Sequence, residues 1–212
     1  MPDEMRSIAD AVARRGGRLI VDEIYLGLSY AGAPRSALEL VGPHAAELFV
    51  VSSFSKYFNM TGWRLGWVVA PERHVRDLEK LAQNLYICPA TVSQRAALAC
   101  FEPATTALLE ERRQAFQARR DALVPALRAL GFGIPVTPTG GFFVYADSSR
   151  FSADSQRFCR EALEGCGVAF TPGIDFGRHR ASEHVRFAYT IDAARLALGV
   201  ERLGAWLAGR AG

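Results

Sequence analysis

Lysine is nearly absent from this chain, which has only Lys56 and Lys80 among its 25 basic residues. Against 22 acidic residues these give a formal net charge of +3, too small to predict a nucleic-acid partner. An arginine cluster interspersed with acidic residues lies in a helix-like stretch, and this mixture favours a solvated helix face over a nucleic-acid surface. Its members are Arg112, Arg113, Arg119 and Arg120.

Cysteines and long apolar runs are also scarce. The four cysteines have neither C-x-x-C spacing nor histidines in metal-binding register, so we expect reduced thiols and no metal site. No apolar run approaches the roughly 20 residues that cross a bilayer, and the N-terminus lacks the apolar core of a signal peptide. The sequence predicts a soluble, cytoplasmic protein without a membrane partner.

The fold predicted from the apolar pattern is α/β, in two parts. Short, continuously apolar strands are expected at residues 19–21, 48–52 and 65–70, in a sheet buried on both faces. Helices are expected at residues 1–15, 72–85, 90–101 and 104–130, with Pro125 marking a kink or a boundary. Tyr86 and Phe101 are expected in the core.

From residue 131 onward the pattern changes to that of a smaller α+β domain. Strands are expected at residues 142–146, 168–171 and 185–189, and helices near residues 153–164 and 192–207. We place the domain boundary between residues 118 and 119. The first domain then comprises residues 1–118 and the second comprises residues 119–212.

Asp22 directly follows an apolar strand, a position from which a carboxylate holds magnesium in many NTPases. That function requires a partner loop of the G-x-x-x-x-G-K-[ST] type. Lys56 follows Ser55 and Lys80 follows Glu79, so this chain has no such loop. The NTPase interpretation is therefore excluded for this chain.

Lys56 has a different setting, between hydroxyl and aromatic side chains and upstream of an arginine. An apolar strand leads into the segment Val21–Tyr25 (VDEIY), and another leads into Ser52–Lys56 (SSFSK), which is followed by Gly62–Gly66 (GWRLG). Together they resemble the class I/II aminotransferases, pyridoxal-phosphate (PLP) enzymes of fold type I. The resemblance continues through residues 138–143, 168–177 and 185–188, and so covers essentially the whole chain.

The resemblance implies a fold and a cofactor. The fold would be part of the aspartate-aminotransferase-like large domain, with a mainly parallel sheet, followed by a smaller α+β domain. The cofactor would be PLP, with Lys56 forming the Schiff base and moving the α-proton of the substrate. Asp22 would pair with the pyridine nitrogen, and Tyr25 would hydrogen-bond the ring oxygen.

The resemblance also implies the residues that bind the two anionic groups. Arg64, Ser53 and Ser55 would bind the cofactor phosphate, with Ser53 matching the family's phosphate-binding serine more closely than Ser55. Arg186 would bind the α-carboxylate of an amino-acid substrate through two parallel hydrogen bonds. By strand alternation, Val185, Phe187 and Tyr189 share one face while Arg186 lies on the other. On the sequence pattern alone, the alternative that Arg186 is a strand residue facing solvent remains open.

The chain departs from the family in one respect: it begins where the family is already about halfway through. A fragment, a truncated gene product and a subunit completed by another chain are the three explanations. The expected activity is amino transfer from an L-amino acid to a 2-oxo acid. A PLP-dependent lyase on the same fold and a non-catalytic remnant are the alternatives. The complete protein is expected to be a homodimer.

Overall fold

The structure is a computed structural model that describes residues 2–41 and 47–210. Contacts divide the chain into two compact units, Met1–Arg113 and Gln114–Gly212. The division falls within one long helix, and the domain boundary predicted between residues 118 and 119 stays a prediction. The four cysteines are free thiols, as expected. None of the helices in the described ranges is both long and apolar enough to cross a membrane.

The first unit contains a three-stranded sheet in the order β1-β2-β3. Strands β1 and β2 are parallel and β3 is antiparallel to β2. Each predicted strand is present to within a residue or so, and helix α3 has the predicted bounds. A short helix, α2, was not predicted. The elements are α1 (Pro2–Ala13), β1 (Leu19–Asp22), α2 (Ala37–Val41), β2 (Leu48–Ser53), β3 (Gly66–Val69), α3 (Glu72–Leu85) and α4 (Thr91–Leu98), followed by α5 (Pro103–Leu130).

Only one face of this sheet is covered within the described residues. Leu48 and Val50 form a small core there with Ala37, against which Leu19 and Val21 pack. On β3 every residue is exposed, and Ile20 of β1 is 69% exposed. The prediction that both faces of the sheet are buried is therefore wrong for the described chain. The elements that pack on the sheet cover only one of its faces.

Helices α3 and α4 also carry large apolar side chains at the surface. No residue of α3 is buried, and the prediction that Tyr86 and Phe101 lie in the core is wrong. Tyr86 follows α3, and Phe101 ends the 3-10 turn that continues α4. Within the described ranges, no element packs closely enough over these side chains to bury them.

Two of the four clustered arginines on α5 are not solvated. The side chain of Arg113 is 21% exposed, and its guanidinium donates to the Glu110 carboxylate and to the Ser29 carbonyl. That of Arg120 is 11% exposed and pairs with Asp121. The prediction of a solvated face is thus wrong for these two, because acidic and carbonyl oxygens close to each head group take up its donors.

The second unit contains a sheet in the order β4-β6-β5, antiparallel throughout. Its apolar core includes Val144, Phe158, Val185, Tyr189 and Leu203. The elements are β4 (Phe143–Asp147), α6 (Ser155–Cys166), β5 (Thr171–Pro172), β6 (His184–Ala188) and α7 (Ala193–Arg210).

Strand β5 is shorter than predicted. Residues 168–171 were expected to form it, but only Thr171 and Pro172 pair with β6. Gly167 ends α6 in the left-handed conformation with φ 70°, which favours glycine. Val168 and Phe170 then pack against the core without joining the sheet ladder. Apolar alternation here reflects packing rather than strand pairing.

Phe158 of α6 should dominate the stability of the second unit, because it is fully buried among aromatic rings. Phe151, Phe170 and Trp206 have ring centroids 5.8, 5.5 and 5.7 Å away. Phe158→Ala should lower the free energy of unfolding by about 3–5 kcal/mol, measured by urea denaturation followed by circular dichroism.

Leu163→Ala is the matched control, since Leu163 lies on the same helix and is 54% exposed. It should change the unfolding free energy by about 0.5 kcal/mol or less. Equal losses in the two variants would contradict the assignment of Phe158 to the core.

Candidate functional site

The carboxyl ends of β1 and β2 lie side by side. Asp22, the last residue of β1, stands opposite Val51 in the parallel register, and the Glu23 amide donates to the Val51 carbonyl at 2.8 Å. The Asp22 carboxylate is exposed and accepts a hydrogen bond from the Ile24 amide at 3.0 Å. An acid at the end of one strand thus lies next to the strand that leads to Lys56.

The loop from Phe54 to Leu65, between β2 and β3, is tied together by its own hydrogen bonds. The Phe54 amide donates to the Leu65 carbonyl at 3.1 Å, which closes the loop at its base. The Met60 amide donates to the Phe54 carbonyl at 3.0 Å. Phe54 and Met60 are also buried against Cys100. This loop is therefore a fixed element, and it carries Lys56.

Ser53 and Ser55 lie at one end of this loop, and Arg64 lies at the other. Ser53 Oγ lies 2.9 Å from Ser55 Oγ and 3.1 Å from the carbonyl oxygen of Leu65, the residue that follows Arg64. The Ser55 amide donates to Ser53 Oγ at 3.0 Å. Arg64 is exposed and has a positive φ of 53°, which is uncommon outside glycine. Its guanidinium donates to the Thr61 carbonyl at 2.9 Å.

Lys56 lies on the bend after β2 and is partly buried. Its Nζ lies 5.9 Å from the centroid of the Tyr25 ring, within range of a cation–π contact. Tyr25 comes three residues after Asp22 and directly precedes a 3-10 turn, Leu26–Leu28. The structure thus brings Lys56, Tyr25 and Asp22 to one edge of the sheet.

A polar cluster that the sequence did not predict lies next to Lys56. The Tyr57 hydroxyl donates to Glu110 Oε1 at 2.6 Å, and Arg113 Nε donates to Glu110 Oε2 at 2.7 Å. Burial, together with the Glu110 carboxylate, raises the pKa of the Tyr57 phenol to about 12. The hydrogen bond from Tyr57 holds the pKa of Glu110 below its ordinary value. Tyr57 and Glu110 are far apart in the sequence, so no spacing signal joins them.

Arg186 lies in the second unit, on β6, where it pairs with Tyr145 of β4 and Thr171 of β5. Its neighbours Val185 and Phe187 are buried, so the predicted alternation is confirmed. The guanidinium carbon is 4.1 Å from the Phe176 ring centroid and 5.0 Å from that of Phe143. Its Nε is buried and has no hydrogen-bond partner among the described residues. A buried charged donor without a partner is costly and indicates a place for a ligand.

Comparison with known proteins places these features in a family. Residues 1–203 match the family described as aminotransferase class I and II. The valine–pyruvate aminotransferase of Mycobacterium tuberculosis is 39% identical over 206 residues, 97% of this chain and 53% of that protein. The aspartate/prephenate aminotransferase of Thermus thermophilus is 35% identical over 186 residues, 87% of this chain and 46% of that protein.

The chain belongs to the class I and II aminotransferases. Solved structures agree: an aminotransferase from M. tuberculosis matches with a TM-score of 0.91 at 39% identity, covering 98% of this chain and 53% of its own. The aromatic aminotransferase of Pyrococcus horikoshii matches with a TM-score of 0.90 at 28% identity, covering 100% and 56%. The fold is the aspartate-aminotransferase-like fold type I, represented by part of its large domain and the smaller domain. The chain spans about half the length of these relatives.

The donors at the sheet edge fit a phosphorylated pyridine aldehyde such as PLP. Ser53, Ser55 and Arg64 offer hydroxyl and guanidinium donors suited to a phosphate. Lys56 offers an amine for the aldehyde and Asp22 an exposed carboxylate for a protonated ring nitrogen. The chemistry of the residues in the aminotransferase chain is therefore compatible with that cofactor.

The raised pKa of Tyr57 predicts a late titration. Because the folded-state pKa lies above the unfolded value of about 10, its stabilising contribution is present below pH 10 and is lost as the pH rises through 12. Ultraviolet difference titration should detect a phenol that ionises near pH 12 and is absent from Tyr57→Phe. Tyr86→Phe, a control at an exposed tyrosine, should retain that late step. Its persistence in Tyr57→Phe would show that another tyrosine is responsible.

Proposed function

We propose that the complete protein transfers the amino group of an L-amino acid to a 2-oxo acid, with PLP held at Lys56. One observation carries this proposal. Lys56 Nζ lies 5.9 Å from the Tyr25 ring, on a loop closed at its base near Ser53 and Arg64, at the edge where Asp22 ends β1. Membership of the aminotransferase family supports it.

In this proposal Arg64, Ser53 and Ser55 bind the phosphate. A guanidinium presents parallel donors that suit phosphate oxygens, and charge-assisted hydrogen bonds of this kind are strong. Ser55 is less accessible to the phosphate than Ser53, because Ser55 is buried, with 9% of its surface exposed. The closed loop fixes these donors before the anion arrives, which reduces the entropy lost on binding.

Asp22 and Tyr25 would orient the ring. PLP supplies an aldehyde that takes up an amine and a ring that withdraws electrons from the adjoining carbon. The Asp22 carboxylate would hold the ring nitrogen, and the Tyr25 phenol would donate to the ring oxygen. Lys56 would hold the aldehyde through Nζ, and its amine would accept and return the α-proton of the substrate.

Arg186 would bind the α-carboxylate of the substrate. Its guanidinium lies against the Phe176 and Phe143 rings, and these contacts fix its plane without using its hydrogen-bond donors. The buried Nε without a partner supports this role, because a carboxylate would satisfy it.

We further propose valine and pyruvate as the first substrate pair to test, since a relative of that name is 39% identical. The resemblance to the family also supports a homodimer for the complete protein. The cytoplasm is the proposed compartment because all four cysteines are free thiols.

Borohydride trapping tests the proposed cofactor lysine. The chain is incubated with PLP, reduced and digested, and the pyridoxyl label is located by peptide mass spectrometry. Because the sequence contains two lysines, the assignment has only two possible side-chain sites. The label should be on Lys56, should disappear in Lys56→Ala and should persist in Lys80→Ala. Equal labelling of Lys56 and Lys80 would contradict the proposal.

The reaction type is tested with the PLP-loaded chain, valine and pyruvate. Formation of alanine that requires pyruvate supports amino transfer. Release of ammonia and sulfide from L-cysteine, whose β-carbon carries a leaving group, in the absence of a 2-oxo acid would instead indicate the lyase alternative.

The role of Arg186 is tested by calorimetric titration of the PLP-loaded chain with pyruvate. Arg186→Leu should weaken binding by about 30-fold or more, since losing one partner of a buried charge pair costs about 2 kcal/mol or more. Arg195→Leu, at an arginine whose side chain is 74% exposed in the same unit, is the control and should leave binding unchanged.

Methyl pyruvate provides a matched ligand, because it lacks the carboxylate. Its binding should be equally weak in wild-type and Arg186→Leu chains. If Arg186→Leu weakens both ligands by the same factor, Arg186 does not recognise the carboxylate.

A further inference from the structure

Tyr57, the residue after Lys56, is held at both its ring and its hydroxyl. The hydroxyl donates to Glu110 Oε1 at 2.6 Å. The ring lies against the backbone of Gly27: a Cβ on Gly27 would be only 2.6 Å from Tyr57 Cγ. No side chain larger than hydrogen fits at position 27 without moving the ring. Tyr57 therefore has one well-defined position.

The carboxylate that receives the Tyr57 hydroxyl is itself fixed. Arg113 Nε donates to Glu110 Oε2 at 2.7 Å, and the same guanidinium donates to the Ser29 carbonyl at 3.1 Å. Ser29 directly follows the 3-10 turn that contains Gly27. The contacts form a closed ring through Tyr57, Glu110, Arg113, Ser29 and Gly27, which we call the tyrosine clamp.

The tyrosine clamp joins the two segments that face each other at Lys56. Tyr57 belongs to the loop that carries Lys56, and Gly27 belongs to the turn that follows Tyr25. Lys56 Nζ, on the first segment, lies 5.9 Å from the centroid of the Tyr25 ring, which directly precedes the second. Lys56 sits on a bend where the Asn59 amide donates to its carbonyl at 3.0 Å, and the tyrosine clamp ties this bend to the turn at Gly27.

We propose that Tyr57, through Glu110, is a positioning residue that sets the direction of Lys56 toward Tyr25. The proposal rests on the proposed function of Lys56 as the cofactor lysine. Tyr57 acts through the backbone it shares with Lys56, and its own hydroxyl is engaged by Glu110. Its hydroxyl matters as well as its ring, because the hydroxyl ties the loop to Glu110 of α5 while the ring contacts the turn at Gly27.

Competitive acetylation of the chain without cofactor measures the environment of Lys56 directly. Trace acetic anhydride is applied over a range of pH, and the labelling of Lys56 is divided by that of Lys80. Lys80 is an internal reference, because it is exposed on α3 and pairs with Asp77. Tyr57→Phe should raise the ratio at least threefold, as Lys56 becomes more mobile and more accessible. Tyr86→Phe, the matched control, should not change it.

Variants of Glu110 distinguish loss of the tyrosine clamp from a general loss of stability as the cause of a raised ratio. Glu110→Ala removes the acceptor of both Tyr57 and Arg113 and should raise the ratio at least as much as Tyr57→Phe does. The double variant should show no further increase over Glu110→Ala, because the Tyr57 contact is already lost in that variant. Glu110→Gln keeps one acceptor oxygen for the phenol but places an NH2 donor opposite the Arg113 Nε donor, so it should raise the ratio by less than Glu110→Ala does. Gly27→Ala, which displaces the ring with the hydroxyl intact, should also raise it.

A wild-type ratio in both Tyr57→Phe and Glu110→Ala would overturn the proposal, as would fully additive effects in the double variant. Circular dichroism confirms folding before each measurement, and Glu110→Ala and Gly27→Ala test the clamp independently if Tyr57→Phe does not fold. Since the assay contains no PLP, its outcome is separate from borohydride trapping. Trapping on Lys56 with an unchanged ratio refutes the clamp alone, and the reverse result refutes the cofactor role alone.

Discussion

The parallel pairing of β1 and β2 is the constraint on which the rest of the site depends. Parallel strands end at the same edge of a sheet, so the residues that follow them meet there. The register that sets Asp22 opposite Val51 brings the VDEIY segment beside the strand leading to Lys56. Strand β3 then returns antiparallel, with Gly66 opposite Ser53, so that Arg64 comes back to the same edge. A shift of one residue in this register would turn Asp22 to the other face of the sheet.

The site loop keeps its shape even though the sheet beneath it is covered on only one face in the described chain. Exposed apolar residues on a sheet forgo roughly 25 cal/mol per Å² of the stabilisation that burial would bring. The loop depends less on that burial, because its base is closed by hydrogen bonds to the Leu65 carbonyl and its underside packs on Cys100. Local polar contacts and a small apolar cluster therefore define the position of Lys56 more directly than the sheet face does.

What the sequence could predict depended on how local each signal is. The bounds of α3 and the alternation around Arg186 follow from periodicities of a few residues, and both are as predicted. The shortness of β5 was not predictable from the same rule, because apolar side chains that pack without ladder hydrogen bonds look like a strand. The prediction that both faces of the first sheet are buried was wrong for a different reason. A continuous apolar run favours burial of a strand, but it does not indicate which elements cover the strand.

The hydrogen bond between Tyr57 and Glu110 could not be predicted from the sequence, because the two residues are 53 positions apart. Glu110 and Arg186 differ in how their hydrogen-bonding groups are satisfied. Glu110 has hydrogen bonds at both carboxylate oxygens, so it serves the framework and has little to offer a ligand. Arg186 is held by aromatic faces instead, and its buried Nε is left without a protein partner in the described chain. A fold tolerates the cost of an unsatisfied buried donor where a bound group can supply the missing acceptor. Glu110 thus helps to hold the site in place, and the unsatisfied Nε of Arg186 marks a place where a ligand is expected to bind.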